Sequence, residues 1–270
     1  MSINDDDLVL VNPDNPPAPL TPEAKAAIVA LVTRQKRANG LLMRAINYVG
    51  GQVEDGLKML PQSVRGQIDG AVKVALEKSY QAAERSRVGA MAKFVGSNQM
   101  HKVLGAVSGA LGGVGGLPTA LIELPVATTV IFRAVQSVAE SYGEDPTSEE
   151  TRLECLAVFG SGGPGSEDDG VDTSFIGARL SLSGAAVNTL ISRVAPKFGA
   201  VLSQKLATQA VPILGAAAGA GTNFAFVDYY VSMAHVHFGL RQIAREHGPK
   251  AVAAEFHNRL VTKDIPVKRA

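Results

Sequence analysis

Tryptophan is absent from the chain, and cysteine occurs once, as Cys155. A lone cysteine excludes an internal disulfide and fits a reducing compartment. Aromatic residues make up only 5% of the sequence. That is too few for the aromatic-rich strands of a sandwich, and no alternating strand pattern occurs anywhere. Residues 1–20 are acidic and proline-rich, the opposite of a basic, apolar secretory leader, and are expected to be a disordered leader. The expected location is the cytoplasm or the cytoplasmic face of a membrane. The basic stretches lack interleaved aromatics, which argues against nucleic acid as a partner. Gly112 to Gly116 is not followed by Gly-Lys-Ser/Thr, so it is no phosphate loop. No His-Glu-x-x-His motif is present, and neither a metal nor a cofactor is expected.

What the chain does have is small residues at helical spacing. Gly105, Gly109 and Gly113 lie four apart, with Ser108, Gly112 and Gly116 as an adjacent row. Gly215 and Gly219 repeat the spacing in a second tract. Positions i and i+4 share a helix face, so each row is a strip of bare backbone that a second helix can approach closely. Interior glycine costs about 0.5–1 kcal/mol against alanine. The rows are therefore read as packing or assembly surfaces.

The punctuation of the sequence predicts helices throughout. Thr21 as N-cap with Pro22 at the first helical position opens a helix expected to fade near Asn39-Gly40. A second helix is expected over 41–60, with Gly50-Gly51 as a break. Over 63–87, Ile68, Val72, Ala75, Leu76 and Ala83 share one face while Lys73, Glu77, Lys78 and Glu84 share the other. Pro118, Pro125 and Pro196 are expected to end or kink helices. Thr147 with Glu150 reads as a capping box opening a helix that carries Arg152, Leu153, Cys155, Leu156 and Phe159. Gly160 to Ser174 reads as a loop. The sum is an all-α fold: one multi-helix domain over 21–260 with the glycine-rich hairpins packed centrally, the leader 1–20, and a basic tail 261–270.

Lys102–Glu123 and Lys205–Asp228 each enclose an uncharged stretch long enough for a bilayer crossing. A packed core, a partly inserted hairpin and genuine spans stay open as readings of both. Charge is sorted along the chain. Residues 65–102 and 241–269 are basic, whereas 140–172 is acidic with Arg152 its only cation. The basic stretches are read as solvated faces or as surfaces for anionic lipid.

Chemistry candidates are few. Asp228, Ser232 and His235 fall on one helix face, the order of groups used to activate a nucleophile. Cys155 is a further candidate nucleophile. Glu123, between two prolines in an apolar setting, needs a cation such as Arg133 or Arg152. His235 and His237 lie two apart, so on a helix they point away from each other and do not share an ion.

The segment Gly115-Gly116-Leu117-Pro118-Thr119-Ala120-Leu121-Ile122-Glu123-Leu124-Pro125 resembles the signature of the EcsC protein family. Gly143-Glu144-Asp145-Pro146, Lys197-Phe198-Gly199, 209–216 and 223–248 extend the resemblance in order. The chain departs from the family pattern at Val236, where glycine is usual, and at Arg241, where a double arginine is usual. The resemblance implies a protein without an agreed activity; the family is named after a protein encoded beside an ABC transporter, and some members are labelled membrane proteins or peptidases. The leading expectation is a non-enzymatic, membrane-surface or transporter-linked accessory protein, with a homo-oligomer or a membrane protein as partner. The rival is a soluble hydrolase with a polar site around Glu123, Asp228, His235 and Cys155.

Overall fold

The hydroxyl of Thr21 accepts the backbone N–H of Ala24 at 3.1 Å, the N-cap expected for Thr-Pro-Glu. It opens α1 (Pro22–Gly50). The computed structural model describes residues 17–50, 62–85, 116–161, 184–209 and 215–261, and all its regular elements there are helices. After α1 come α2 (Gln62–Arg85), α3 (Gly116–Ser141), α4 (Glu149–Val158), α5 (Gly184–Gln209), α6 (Gly215–His247) and α7 (Pro249–Val261). The leader up to residue 16, the expected loop from residue 162 to 174, the tail beyond 261, and Gly105, Gly109, Gly112 and Gly113 lie outside the described residues. Gly116 opens α3, and Gly215 and Gly219 lie in the first turns of α6.

Several expected breaks are absent. α1 runs unbroken through Asn39-Gly40. Its buried row Ile28, Leu31, Val32, Gln35 and Ala38 packs on α6, and this outweighs one interior glycine at about 1 kcal/mol. Pro118 sits in the first turn of α3, where no N–H is needed. Pro125 and Pro196 lie inside continuous helices. Around Pro125 the hydroxyls of Thr128 and Thr129 donate to the carbonyls of Leu124 and Pro125, at 2.8 and 2.7 Å. Leu124, Ile131 and Phe132 are buried on either side, so packing holds the helix where propensity alone would end it.

The cap of α4 also differs from the expected box. Ser148, not Thr147, is the N-cap, accepting from Thr151 N at 3.1 Å. Thr147 instead donates to the Asp145 carboxylate. Gly143 closes α3 with φ +78°, and the bonds Gly143 N to Glu140 O and Glu144 N to Ala139 O make a Schellman ending.

One apolar core joins all seven helices. At its centre Phe159 stacks on Tyr230 (5.2 Å between ring centroids) and on Phe132 (6.0 Å), with Phe198 edge-on at 5.1 Å. α6 is the spine, touching α1, α3, α4, α5 and α7. α1 runs antiparallel to it: Ala18 bonds to Glu246 at one end, and Leu31 lies beside Gly239 further along. A side chain at Gly239 would come within 2.9 Å of Leu31 Cδ2, so this glycine does permit a close approach. α2 packs on α3, where Arg133 donates to Ala82 O at 3.1 Å. Among the described residues no helix is long and apolar enough to cross a membrane.

Candidate functional site

α6 carries His237, Arg241 and Arg245 at i, i+4 and i+8, one stripe of a helix. Facing it are Glu144 on the α3–α4 connection and Glu150 and Glu154 on α4, the last two one turn apart. Arg241 reaches all three acids: Nη1 to Glu154 Oε1 at 2.6 Å, Nη2 to Glu150 Oε1 at 2.7 Å, and Nε to Glu144 Oε1 at 3.3 Å. His237 Nε2 lies 2.7 Å from Glu154 Oε2, and Arg245 closes the cluster on Glu144. With its other oxygen held by a guanidinium, the Glu154 carboxylate accepts from Nε2–H of His237. Burial works against the charge of Arg241, but Glu154, Glu150 and Glu144 outweigh it and its pKa is raised, so the guanidinium stays charged.

The cluster answers the sorted charge of the sequence. Arg241 and Arg245, counted with the C-terminal basic stretch as candidates for lipid, turn inward onto the acidic stretch instead. Both charge stretches are satisfied within the chain at this point. The Glu154 and His237 side chains are only 1% and 2% exposed. A general base must reach the proton it abstracts, and this pair is sealed from any substrate. The geometry is that of a clamp between α4 and α6.

The hydrolase candidates lie elsewhere. Cys155 is fully buried on α4. His235 Nδ1 lies 3.3 Å from Tyr142 Oη, with the two rings edge to face. Asp228 and Ser232 line a groove against α1. Asp228 sits about two helical turns before His235, about 10.5 Å along the axis. Glu123 belongs to α3, and its side chain lies outside the described residues. Arg133 stands ten residues further along the same helix, about 15 Å away. The Arg152 guanidinium lies over the Tyr80 ring at 5.0 Å. His235 and His237 do turn to different partners, as their spacing requires. Among the described residues no three His, Cys, Asp or Glu side chains converge to hold a metal ion.

Glu144, Glu154 and His237 were not singled out from the sequence as a site. Their signal was the i, i+4, i+8 row on α6 facing a one-turn acid pair on α4, two patterns more than eighty residues apart. Val236 is fully buried, and Arg241 holds three acids.

The groove beside α6 is the more accessible feature. It encloses ≈ 510 Å³ and is lined by Ala30, Thr33, Arg34, Arg37 and Ala38 of α1 with Asp228 and Ser232 of α6. Burial pushes the pKa of the neighbouring Tyr142 hydroxyl up, against the opposing pull of the Arg34 guanidinium. A second cleft, of ≈ 460 Å³, lies between α2, α4 and α5 beside Tyr80, Arg152 and Asn188.

Comparison with curated proteins and with solved structures gave no match. Residues 34–243, spanning α1 to α6 and including every member of the clamp except Arg245, match the EcsC protein family. This chain belongs to the EcsC protein family.

Proposed function

We propose that the chain is a non-enzymatic accessory protein that works at an anionic membrane surface, docking there through α1. One observation carries this reading. Lys25, Arg34, Lys36 and Arg37 are all exposed on α1, and none forms an ion pair with a described residue. Glu23 is the one acid over residues 22–40. Ala26, Val29 and Ala30 are exposed between the cations, with Val29 40% accessible. A helix with small apolar residues among cations that form no ion pair suits the headgroup layer, where long basic side chains extend toward phosphate. Each such cation contributes about 1 kcal/mol near an anionic leaflet, so four supply about 4 kcal/mol, roughly a thousandfold in partitioning. The attachment is peripheral and salt-sensitive. Residence at the surface would bring the chain within reach of a membrane-embedded partner, the accessory role proposed here.

The test is flotation of the full chain with vesicles of phosphatidylcholine alone or mixed with phosphatidylglycerol. The expected result is co-flotation only with the anionic vesicles, lost in high salt and in the Lys25→Glu/Lys36→Glu double variant. Equal flotation on neutral vesicles, or an unchanged result in the charge-reversed variant, would overturn the proposal.

A further inference from the structure

The cations of α1 do not form one surface. At about 100° per residue, Lys25 and Lys36 point within about 20° of each other, whereas Arg37 and Arg34 lie about 100° and 160° round the helix from Lys36. The arginines are the pair that lines the groove against α6. At i and i+3 they are neighbours on the helix surface, with Cβ atoms about 5–6 Å apart. Both are exposed, and neither forms an ion pair with a described residue. Arg241, Arg245 and Arg259, by contrast, are each bonded to glutamate. On the α6 wall stands half-buried Ser232, whose hydroxyl makes no hydrogen bond to a described residue.

We infer that this groove binds a phosphomonoester, a group with three unesterified oxygens and close to two negative charges at neutral pH. The two planar guanidinium forks match phosphate oxygens from the α1 side. The Ser232 hydroxyl donates to a further oxygen from the α6 side. A phosphodiester has only two unesterified oxygens and one charge, and so leaves part of this donor set unused. Thr33 adds no donor, because its hydroxyl already donates to Val29 O at 2.9 Å. Asp228, on the same wall as Ser232, is engaged within the chain and takes no part in holding the ligand. Its charge opposes an anion, but one carboxylate against two guanidinium groups leaves the lining net positive. Attraction to a net positive lining grows with the charge of the ligand, which favours the dianion. The groove, at ≈ 510 Å³, falls within the span of small-ligand sites, about 300–1,000 Å³.

The same chemistry is available from the headgroup of phosphatidic acid and from a soluble phosphomonoester; only the lipid source rests on the membrane-surface reading. The experiment uses the full chain in titration calorimetry with glycerol phosphate, a monoester, and glycerophosphoglycerol, a diester, at about pH 7.5, where the monoester is mostly dianionic. Glycerol phosphate is expected to bind at least about tenfold more tightly than the diester. The Arg34→Gln/Arg37→Gln variant should lose glycerol phosphate while circular dichroism shows an intact fold, since both side chains are exposed. Ser232→Ala should weaken it by about tenfold, the loss of one bond to a charged group. Lys25→Glu/Lys36→Glu should still bind it, because the lysines lie off the groove. Flotation with phosphatidylcholine vesicles carrying phosphatidic acid or phosphatidylglycerol at matched surface charge runs alongside. Preference for phosphatidic acid that glycerol phosphate competes away identifies a lipid headgroup as the source. Equal flotation on both, with glycerol phosphate bound in solution, identifies a soluble phosphomonoester.

Absence of glycerol phosphate binding, or equal binding of the diester, overturns the inference without recourse to any variant. So does binding that survives loss of both arginines or is unchanged in Ser232→Ala. If phosphatidylglycerol vesicles float the chain while glycerol phosphate fails to bind, only the groove site falls. If glycerol phosphate binds but no anionic vesicle floats the chain, only the surface reading falls.

Discussion

Replacing Glu154 by glutamine tests the clamp at its buried centre while keeping its shape. Glu154 accepts one bond from Arg241 at 2.6 Å and one from His237 at 2.7 Å. Each charge-assisted bond is worth about 1.5–3 kcal/mol. Glutamine keeps one oxygen for Arg241 but presents an amide N–H₂ to the histidine, and Arg241 retains Glu150 and Glu144. Glu154→Gln should therefore cost about 3 kcal/mol, toward the low end of the 3–5 kcal/mol typical of a broken buried pair. Glu150→Ala is the control. That side chain is 55% exposed, so its loss should cost less than about 1 kcal/mol. The assay is urea unfolding followed by circular dichroism. With an m-value of about 3 kcal/mol/M, the Glu154→Gln midpoint should fall by about 1 M with the slope unchanged. A fall below about 0.2 M at constant slope would mean that water reaches and satisfies the freed groups, refuting the clamp. Equal effects of the two variants would refute it as well.

Three further outcomes follow from particular environments. Tyr230→Phe should stabilise the protein by about 1 kcal/mol at neutral pH, because its buried hydroxyl has no hydrogen-bond partner among the described residues; thermal unfolding reads this directly. Burial, reinforced by Tyr229, raises the Tyr230 pKa well above 10.0 in the fold. The fold therefore favours the protonated phenol, a contribution complete below pH 10 and lost as pH rises from there toward the folded pKa. Tyr230→Phe should accordingly flatten the alkaline loss of stability, and an unchanged profile would refute the assignment. Gly40→Ala should stabilise by about 0.5–1 kcal/mol, since a Cβ there meets nothing within 4 Å inside a helix. Gly248→Ala should destabilise by at least about 1 kcal/mol, because φ is +81° and the new Cβ would lie 2.9 Å from Pro17 Cβ; differential scanning calorimetry of the pair would show opposite signs.

Local signals were legible where the physics is local. Thr21-Pro22 marked the start of α1 because a cap needs only three residues to be recognised. The α2 faces were readable because period 3.6 already separates buried Val72, Ala75 and Leu76 from exposed Lys73, Glu77 and Lys78. Continuity through Gly40, Pro125 and Pro196 was not, since the stabilising partners lie on other helices and outweigh the propensity penalty. Ser148 displaced Thr147 as the cap because Asp145 captures the threonine hydroxyl, a competition among adjacent residues that a motif does not resolve. The clamp itself was half visible. Charge sorting put acids in one stretch and bases in another, but only the packing of α4 on α6 turns two solvated faces into a mutual pair. Asp228 and Ser232 face α1 while His235 turns to Tyr142, surroundings that a single helix cannot reveal.

The antiparallel seating of α1 on α6 has a consequence for synthesis. Ala18 donates its N–H to the Glu246 carbonyl at 3.2 Å and accepts from His247 Nδ1–H, across 229 positions of chain. Ribosomes add about 5–20 residues per second, so α1 leaves the tunnel roughly 10–45 s before its seat exists. In that interval Ile28, Leu31 and Val32 have no cover from α6. A nascent chain stalled before α6 thus presents a naked amphipathic helix that chaperones and proteases can engage. α1 is made well before α6 and is locked in place only when α6 has followed it.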